Sequence, residues 1–182
     1  MSNPTDLTTY PHKLDRKRQQ CAAIVDTPKG RRNKFKYDPE SNLFRLSGVL
    51  PHGMVFPYDF GFIPSTMGGD GDPLDVLALM DEPAHVGCLL DVRLIGVIEA
   101  EQSEGGKTAK NDRLLGVPMT PYSADEPESI RDLHTSLLDQ IEQFFVSYNL
   151  LRGKKFKPTG RRGPKRAMAL VEAGIKAFER RR

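Results

Sequence analysis

The sequence predicts an α+β fold, mainly β, in which short strands build a small barrel and two C-terminal helices pack outside it. Three observations carry that reading. Between residues 22 and 117 the apolar residues fall in short runs broken by Gly, Pro, Asn and Asp. From residue 130 onward they recur at the spacing of a helix face instead. At 182 residues, 38% of them hydrophobic, the chain is sized for one core, which buries roughly 70% of the unfolded surface at this length.

Taken in order, residues 1–20 are polar, rich in Thr, Pro and basic groups, and read as an arm or a short peripheral element ahead of a single domain over 21–182. Residues 34–38 alternate, Pro39-Glu40-Ser41-Asn42 supplies a turn, and 43–46 alternate again, which makes a hairpin. Residues 75–80, 90–98 and 114–117 read as buried or half-buried strands, the last closed by Pro118. Ile130, Leu133, Leu137, Leu138, Ile141, Phe144, Phe145 and Tyr148 fall on one helix face ahead of Gly153. A second helix runs from Pro164 to the end and buries Ala167, Leu170, Val171, Ile175 and Phe178.

Composition removes several classes of function. No apolar run approaches the ~18–20 residues of a membrane-spanning helix, and the N-terminus has no apolar signal core. Cys21 and Cys88 stand alone, which excludes a disulfide framework and suits the reducing cytoplasm. The net charge of +3 hides a segregation: residues 67–112 carry three basic against ten acidic side chains, and residues 152–182 carry twelve against two. Either the basic ends bind a polyanion alone, or both signs meet in one site that handles a cation and an anion together.

The segment Asp70-Gly71-Asp72-Pro73-Leu74-Asp75 puts three carboxylates in six residues at the start of an apolar strand. Pro73 pushes the chain toward extended geometry, so Asp70 and Asp72 point the same way. Carboxylates held together repel unless protons, Lys/Arg or a hard cation neutralise them. Oxygen donors without His or Cys select Mg²⁺, Mn²⁺ or Ca²⁺ over zinc. The plainer alternative is a solvated acidic turn that caps the strand. An EF-hand loop fails, because its sixth position is Asp75 instead of Gly and its twelfth is Asp81 instead of Glu. Upstream, Phe56-Pro57-Tyr58-Asp59-Phe60-Gly61-Phe62-Ile63-Pro64 reads as aromatic core or as the wall of a pocket, with Gly61 allowing close backbone approach. Downstream, Asn111-Asp112-Arg113 is either a surface pair or a metal ligand beside a phosphate clamp.

Asp70-Gly71-Asp72-Pro73-Leu74-Asp75-Val76 resembles the signature of the family I soluble inorganic pyrophosphatases. Phe56-Pro57 with Phe60-Gly61-Phe62-Ile63, then Gly96-Val97, Arg113 to Pro118, and Phe144-Phe145 with Tyr148 follow in that family's order, over roughly residues 24–155. The resemblance implies a five-stranded OB-type β-barrel with peripheral strands and the helices outside, and 21–182 as one catalytic domain. It implies hydrolysis of pyrophosphate with several Mg²⁺ ions (Mn²⁺ as a possible substitute), a homo-oligomer, and neither membrane nor nucleic acid as partner. Carried over by position, Asp70 and Asp75 are metal ligands and Asp72 is the base acting on a metal-bound water. Lys34, Arg113 and Tyr148 bind phosphate. Lys155, or Lys154, substitutes for the lysine expected where Asn149 stands.

The resemblance is incomplete. Lys36 occupies a usual Glu position, Phe60 a Tyr position, Asp26 a Glu position, and Gly48 an Arg position with Arg45 nearest. The family's Asp-x-Lys pattern becomes Asn111-Asp112-Arg113, which implies Asp112 as a metal ligand if a bulge brings it round and leaves open whether Asn111 or Asp112 faces the metals. Another ligand falls in the 98–110 segment, with Glu101 the first choice and Glu104 the second. Two alternatives accompany this reading: a metal-binding relative without turnover, and an OB-type barrel that binds nucleic acid through its basic C-terminus.

Overall fold

The computed structural model describes residues 6–120 and 126–181. Strands β1 (Gln20–Thr27), β2 (Asn33–Asp38), β3 (Leu43–Val49), β4 (Asp59–Ile63), β5 (Leu74–Ala78), β6 (Leu89–Glu104), β7 (Lys107–Lys110) and β8 (Arg113–Pro118) precede α1 (Thr135–Leu150). Strand β9 (Lys155–Arg162) and α2 (Pro164–Arg181) follow.

Strand β1 pairs with both β4 and β6, and the path β1-β4-β5-β8-β6 returns to β1. The result is a closed ring of five strands, OB-like, in which only the β5–β8 pairing is parallel. Closure leaves none of those five strands with an open edge along its paired length. The ring is tight where β1 and β4 cross: a Cβ on Gly61 would lie 2.1 Å from the Ile24 carbonyl oxygen, so only glycine fits there.

The ring strands read as continuous apolar runs because both of their faces are covered. Leu77 and Leu115 join Ile141 and Phe145 of α1 in one buried cluster. Their neighbours Val76 and Leu114 join Ala167 and Val171 of α2 in another. Each such fully buried Val, Leu, Ile or Phe contributes about 1.5–3 kcal/mol.

Two features differ from the sequence expectation. Ile130 lies in a short 3₁₀ turn over Ile130–Asp132, ahead of α1. There Ser129 and Asp132 cap each other's backbone and end the turn before the helix starts. Strand β9 has one buried residue, Phe156, so its basic sequence carries no strand period. It forms because the outer half of the sixteen-residue β6 runs beyond the ring and offers its edge to β7 and β9. The arm, in turn, is pinned to the body: Ser65 donates its N–H to the Thr8 carbonyl at 2.7 Å and its hydroxyl to the Tyr10 carbonyl at 2.8 Å. Among the described residues no helix is long and apolar enough to cross a membrane.

Candidate active site

A cavity of about 820 Å³ opens between the β2–β3 hairpin, the loop before β5, the outer half of β6, the C-terminal end of α1 and the last turn of α2. One wall is acidic. Asp70 and Asp72 stand on a turn fixed by its own backbone: Gly68 donates to the Asp72 carbonyl at 2.7 Å, and Gly71 takes the left-handed φ of +87° that favours glycine. Thr66 anchors the turn, donating to the Ile63 carbonyl at 2.6 Å and accepting the Leu74 N–H at 3.0 Å. Asp75 follows on β5. Burial raises its carboxyl above the usual range, and Arg113 and Lys34 offset part of that rise.

Asp26 completes the wall from β1. The pairing of β1 with β4 shifts register between Val25 and Thr27, and the bulge turns Asp26 into the cavity. The residue is 7% exposed, and its Oδ1 is buried without a hydrogen-bond partner. Burial pushes its carboxyl up to about 7, against the opposing pull of Lys34. The folded, metal-free protein therefore holds a proton at Asp26 that the unfolded chain releases. Its stability falls as pH rises from about 4 to about 7 and is flat in this respect above that, a span on the order of 4 kcal/mol. Asp26→Asn removes this component, so the variant melts above wild type at pH 8 and the two converge near pH 4. A melting series across that pH range in the presence of chelator checks it, and parallel curves would reject the assignment.

Cationic side chains line the same cavity. Lys34 and Lys36 project from one face of β2, two residues apart. The Lys34 ammonium lies 4.5 Å from the centre of the Phe60 ring, with the Phe56 and Tyr148 rings at 5.6 and 5.7 Å. Phe60 thus offers a ring face where a tyrosine would add a hydroxyl. Lys36 bonds the Asp72 carboxylate at 2.8 Å. Arg113, 4% exposed, packs its guanidinium 4.9 Å from Phe145 and 5.2 Å from Phe156. One of its nitrogens reaches Asp75 Oδ2 at 2.6 Å, the carbonyls of Asn111 and Asp112 at 3.2 Å, and the Asn111 side-chain oxygen. Tyr148 accepts a hydrogen bond from Arg152 at the end of α1. Lys154 pairs with Glu104 at 2.8 Å across the mouth, and Arg181 of α2 reaches the Gly71 carbonyl at 3.5 Å.

Asp70, Asp72, Asp75, Lys34, Arg113 and Tyr148 therefore meet in one cavity, whereas Glu101, Asp112 and Lys155 are not among its lining residues. Strand parity is the reason. On β6 the lining residues are Gln102 and Glu104, so Glu101 between them points to the opposite face. On the approach to β8 the lining residues are Asn111 and Arg113, and Asp112 turns the other way to accept the Ala100 N–H at 2.9 Å. No bulge brings it round. Lys154 lines the cavity in place of Lys155, which begins β9 opposite Ser103. Asn149 lines the cavity but spends its amide on the Phe145 carbonyl at 2.8 Å, inside its own helix. Of the pair Asn111 and Asp112 that the sequence left open, Asn111 lines the cavity, as does Asp26, which the sequence noted without giving it a role; Gln102 is a lining residue that sequence reasoning did not consider. Strand parity settles that choice for Asn111, two residues before Arg113, while nothing local signals the bulge at Asp26.

Among the described residues no three carboxylates or imidazoles converge as a ready cage for a metal. The donor set nonetheless suits a hard cation: Asp70, Asp72, Asp75 and the orphaned oxygen of Asp26 are all oxygen donors on one wall. The Gln102–Asn111 side does not add to that charge, since both are amides and bond each other at 3.1 Å.

Residues 23–179 match the family model described as inorganic pyrophosphatase. The chain is 36% identical over 156 residues to an inorganic pyrophosphatase of Synechocystis, covering 86% of this chain and 90% of that one. A Geobacillus stearothermophilus inorganic pyrophosphatase is likewise 36% identical, with 86% and 92% covered. Among solved structures, inorganic pyrophosphatase from Thermus thermophilus superposes with a TM-score of 0.87 at 32% identity, over 96% of this chain and 99% of that one. A five-strand ring with the Asp70 to Asp75 turn at its mouth, matched from residue 23 to residue 179, makes the chain a member of the inorganic pyrophosphatase family.

Proposed function

We propose that this protein hydrolyses inorganic pyrophosphate to two phosphates with a divalent metal of the Mg²⁺ class, for which Mn²⁺ is a substitute. The observation that carries the reading is the meeting, in one cavity, of carboxylates suited to hard cations and of cationic side chains suited to phosphate. Asp70, Asp75 and Asp26 would hold the metal, which when bound would acidify a water and screen the charge of the phosphates. Asp72 is placed to take the proton of the attacking water as that water's oxygen bonds to one phosphorus and the bridging P–O bond breaks, its electron pair leaving with the departing phosphate. Lys34, Arg113 and Tyr148 hold the phosphate oxygens and stabilise the charge on the departing group. The Phe56–Phe60–Tyr148 wall keeps water from Lys34, which strengthens its pull on an anion.

Phosphate release from pyrophosphate, ATP and tripolyphosphate with Mg²⁺ tests this directly. Release from pyrophosphate far above the other two supports it, and no release from any of them in folded protein rejects it. The nucleic-acid alternative is not favoured, because the acidic wall would repel a phosphodiester backbone that brought no metal. We further propose a homo-oligomer, which the exposed Leu43, Leu46 and Val49 of β3 support and sedimentation velocity checks. Two free thiols, Cys21 and Cys88, suit action in the cytoplasm.

A further inference from the structure

Two of the carboxylates on the acidic wall already carry cations from the chain itself. The two pairs differ in how firmly they are held. Arg113 is buried, stacked on rings and tied to two carbonyls, so it has no room to leave Asp75. Lys36 has none of these restraints: its side chain is 58% exposed, Asp72 beside it is 57% exposed, and their contact joins two elements 36 residues apart. Among the described residues Lys36 makes no other hydrogen bond or ion pair through its ammonium. Its strand also belongs to the separate β2–β3 sheet, not to the ring that carries Asp72.

We propose that Lys36 is a built-in competitor for divalent metal: its ammonium occupies the Asp72 carboxylate in the free protein, and a cation must displace it to enter the acidic wall. The physical argument is one of charge. A single ammonium within bonding distance of Asp72 opposes a doubly charged ion at the neighbouring oxygens, and removing it deepens the potential that the ion feels. Arg113 sets the background that does not change, whereas Lys36 sets the part that yields. Metal loading of the free protein is therefore weaker than the count of aspartates suggests. The lysine is also left free, once displaced, to face an anion in the same cavity.

The inference rests on reading this cavity as a metal-dependent site, but its test needs no turnover. Titrating the full-length protein with Mn²⁺ alone, without substrate, gives the affinity and number of ions for wild type, Lys36→Met, Lys36→Gln and Lys165→Met. The last removes the same charge from the exposed start of α2, outside the cavity. Lys36→Met and Lys36→Gln are expected to bind Mn²⁺ about tenfold more tightly than wild type, and Lys165→Met to stay close to wild type. Two neutral replacements guard against a folding defect in either one, with melting curves as the check. Unchanged Mn²⁺ affinity in both Lys36 variants overturns the proposal, and so does an equal gain in Lys165→Met, which would make the effect one of net charge. A wild-type protein that fails to release phosphate from pyrophosphate, yet shows the Lys36 effect, would remove the proposed reaction and leave this inference intact.

Discussion

Asp72→Asn lowers turnover of pyrophosphate by about 10²–10⁴-fold with little change in KM, the range for loss of a positioned base. The substitution keeps the shape of the side chain and its place on the Gly68–Asp72 turn, which is held by backbone bonds. What it removes is an oxygen able to accept a proton, together with the charge that holds Lys36. Comparison with Asp112→Asn and Glu101→Gln makes the result specific. Glu101 lies on the strand face turned from the cavity, and Asp112 turns away from it to accept the Ala100 N–H, a bond the asparagine oxygen keeps, so both are expected to stay within about twofold of wild type. Steady-state kinetics on the three variants decides the matter. Full activity in Asp72→Asn, or a large loss in Asp112→Asn, would mean that the base or the ligand set is elsewhere.

The second large effect is on stability. Arg113→Met leaves Asp75 without its partner at 2.6 Å and strips a cation from between the Phe145 and Phe156 rings. Breaking a buried pair by removing one member costs about 3–5 kcal/mol, or a fall in melting temperature of roughly 10 °C for a chain of this size. The loss depends on pH, and its sign is fixed. The Asp75 carboxyl is already raised by burial, with Arg113 the largest influence against that rise. Without Arg113 it rises further above its unfolded value, so the folded variant gains a proton as pH falls and recovers stability. The deficit is therefore larger at pH 8 than at pH 5. Arg113→Lys keeps the charge but loses the planar fork, and recovers only part of the deficit. A loss that is the same at both pH values would show that ring packing, not the Asp75 pair, holds Arg113 in place. Activity falls in the same variant, since the cavity loses its most rigid cation.

These two side chains also show how far the sequence reached. Asp72 was legible because everything that aims it is local: a turn closed within five residues, a proline that fixes the direction of the chain, and an apolar strand immediately after. The β2–β3 hairpin was legible for the same reason, since its turn and both alternating arms lie within 17 residues. Closure of the ring was not, because it joins β1 to β6 across about 70 residues, and no local pattern encodes that partner.

The sequence by itself determined the fold class, the acidic turn, the basic strand and the family, all features written in short-range spacing or in motifs. The tertiary structure alone decided which parity of β6 and β8 faces the cavity, so that Gln102 and Asn111 enter it while Glu101 and Asp112 do not. Alternation along a strand says that neighbours take opposite faces, but which face is inside depends on the layers packed above and below. The bulge that delivers Asp26 and the ion pair that couples Lys36 to Asp72 are likewise products of register and long-range closure. Through them a family pattern becomes this particular site, with part of its positive charge supplied by the chain.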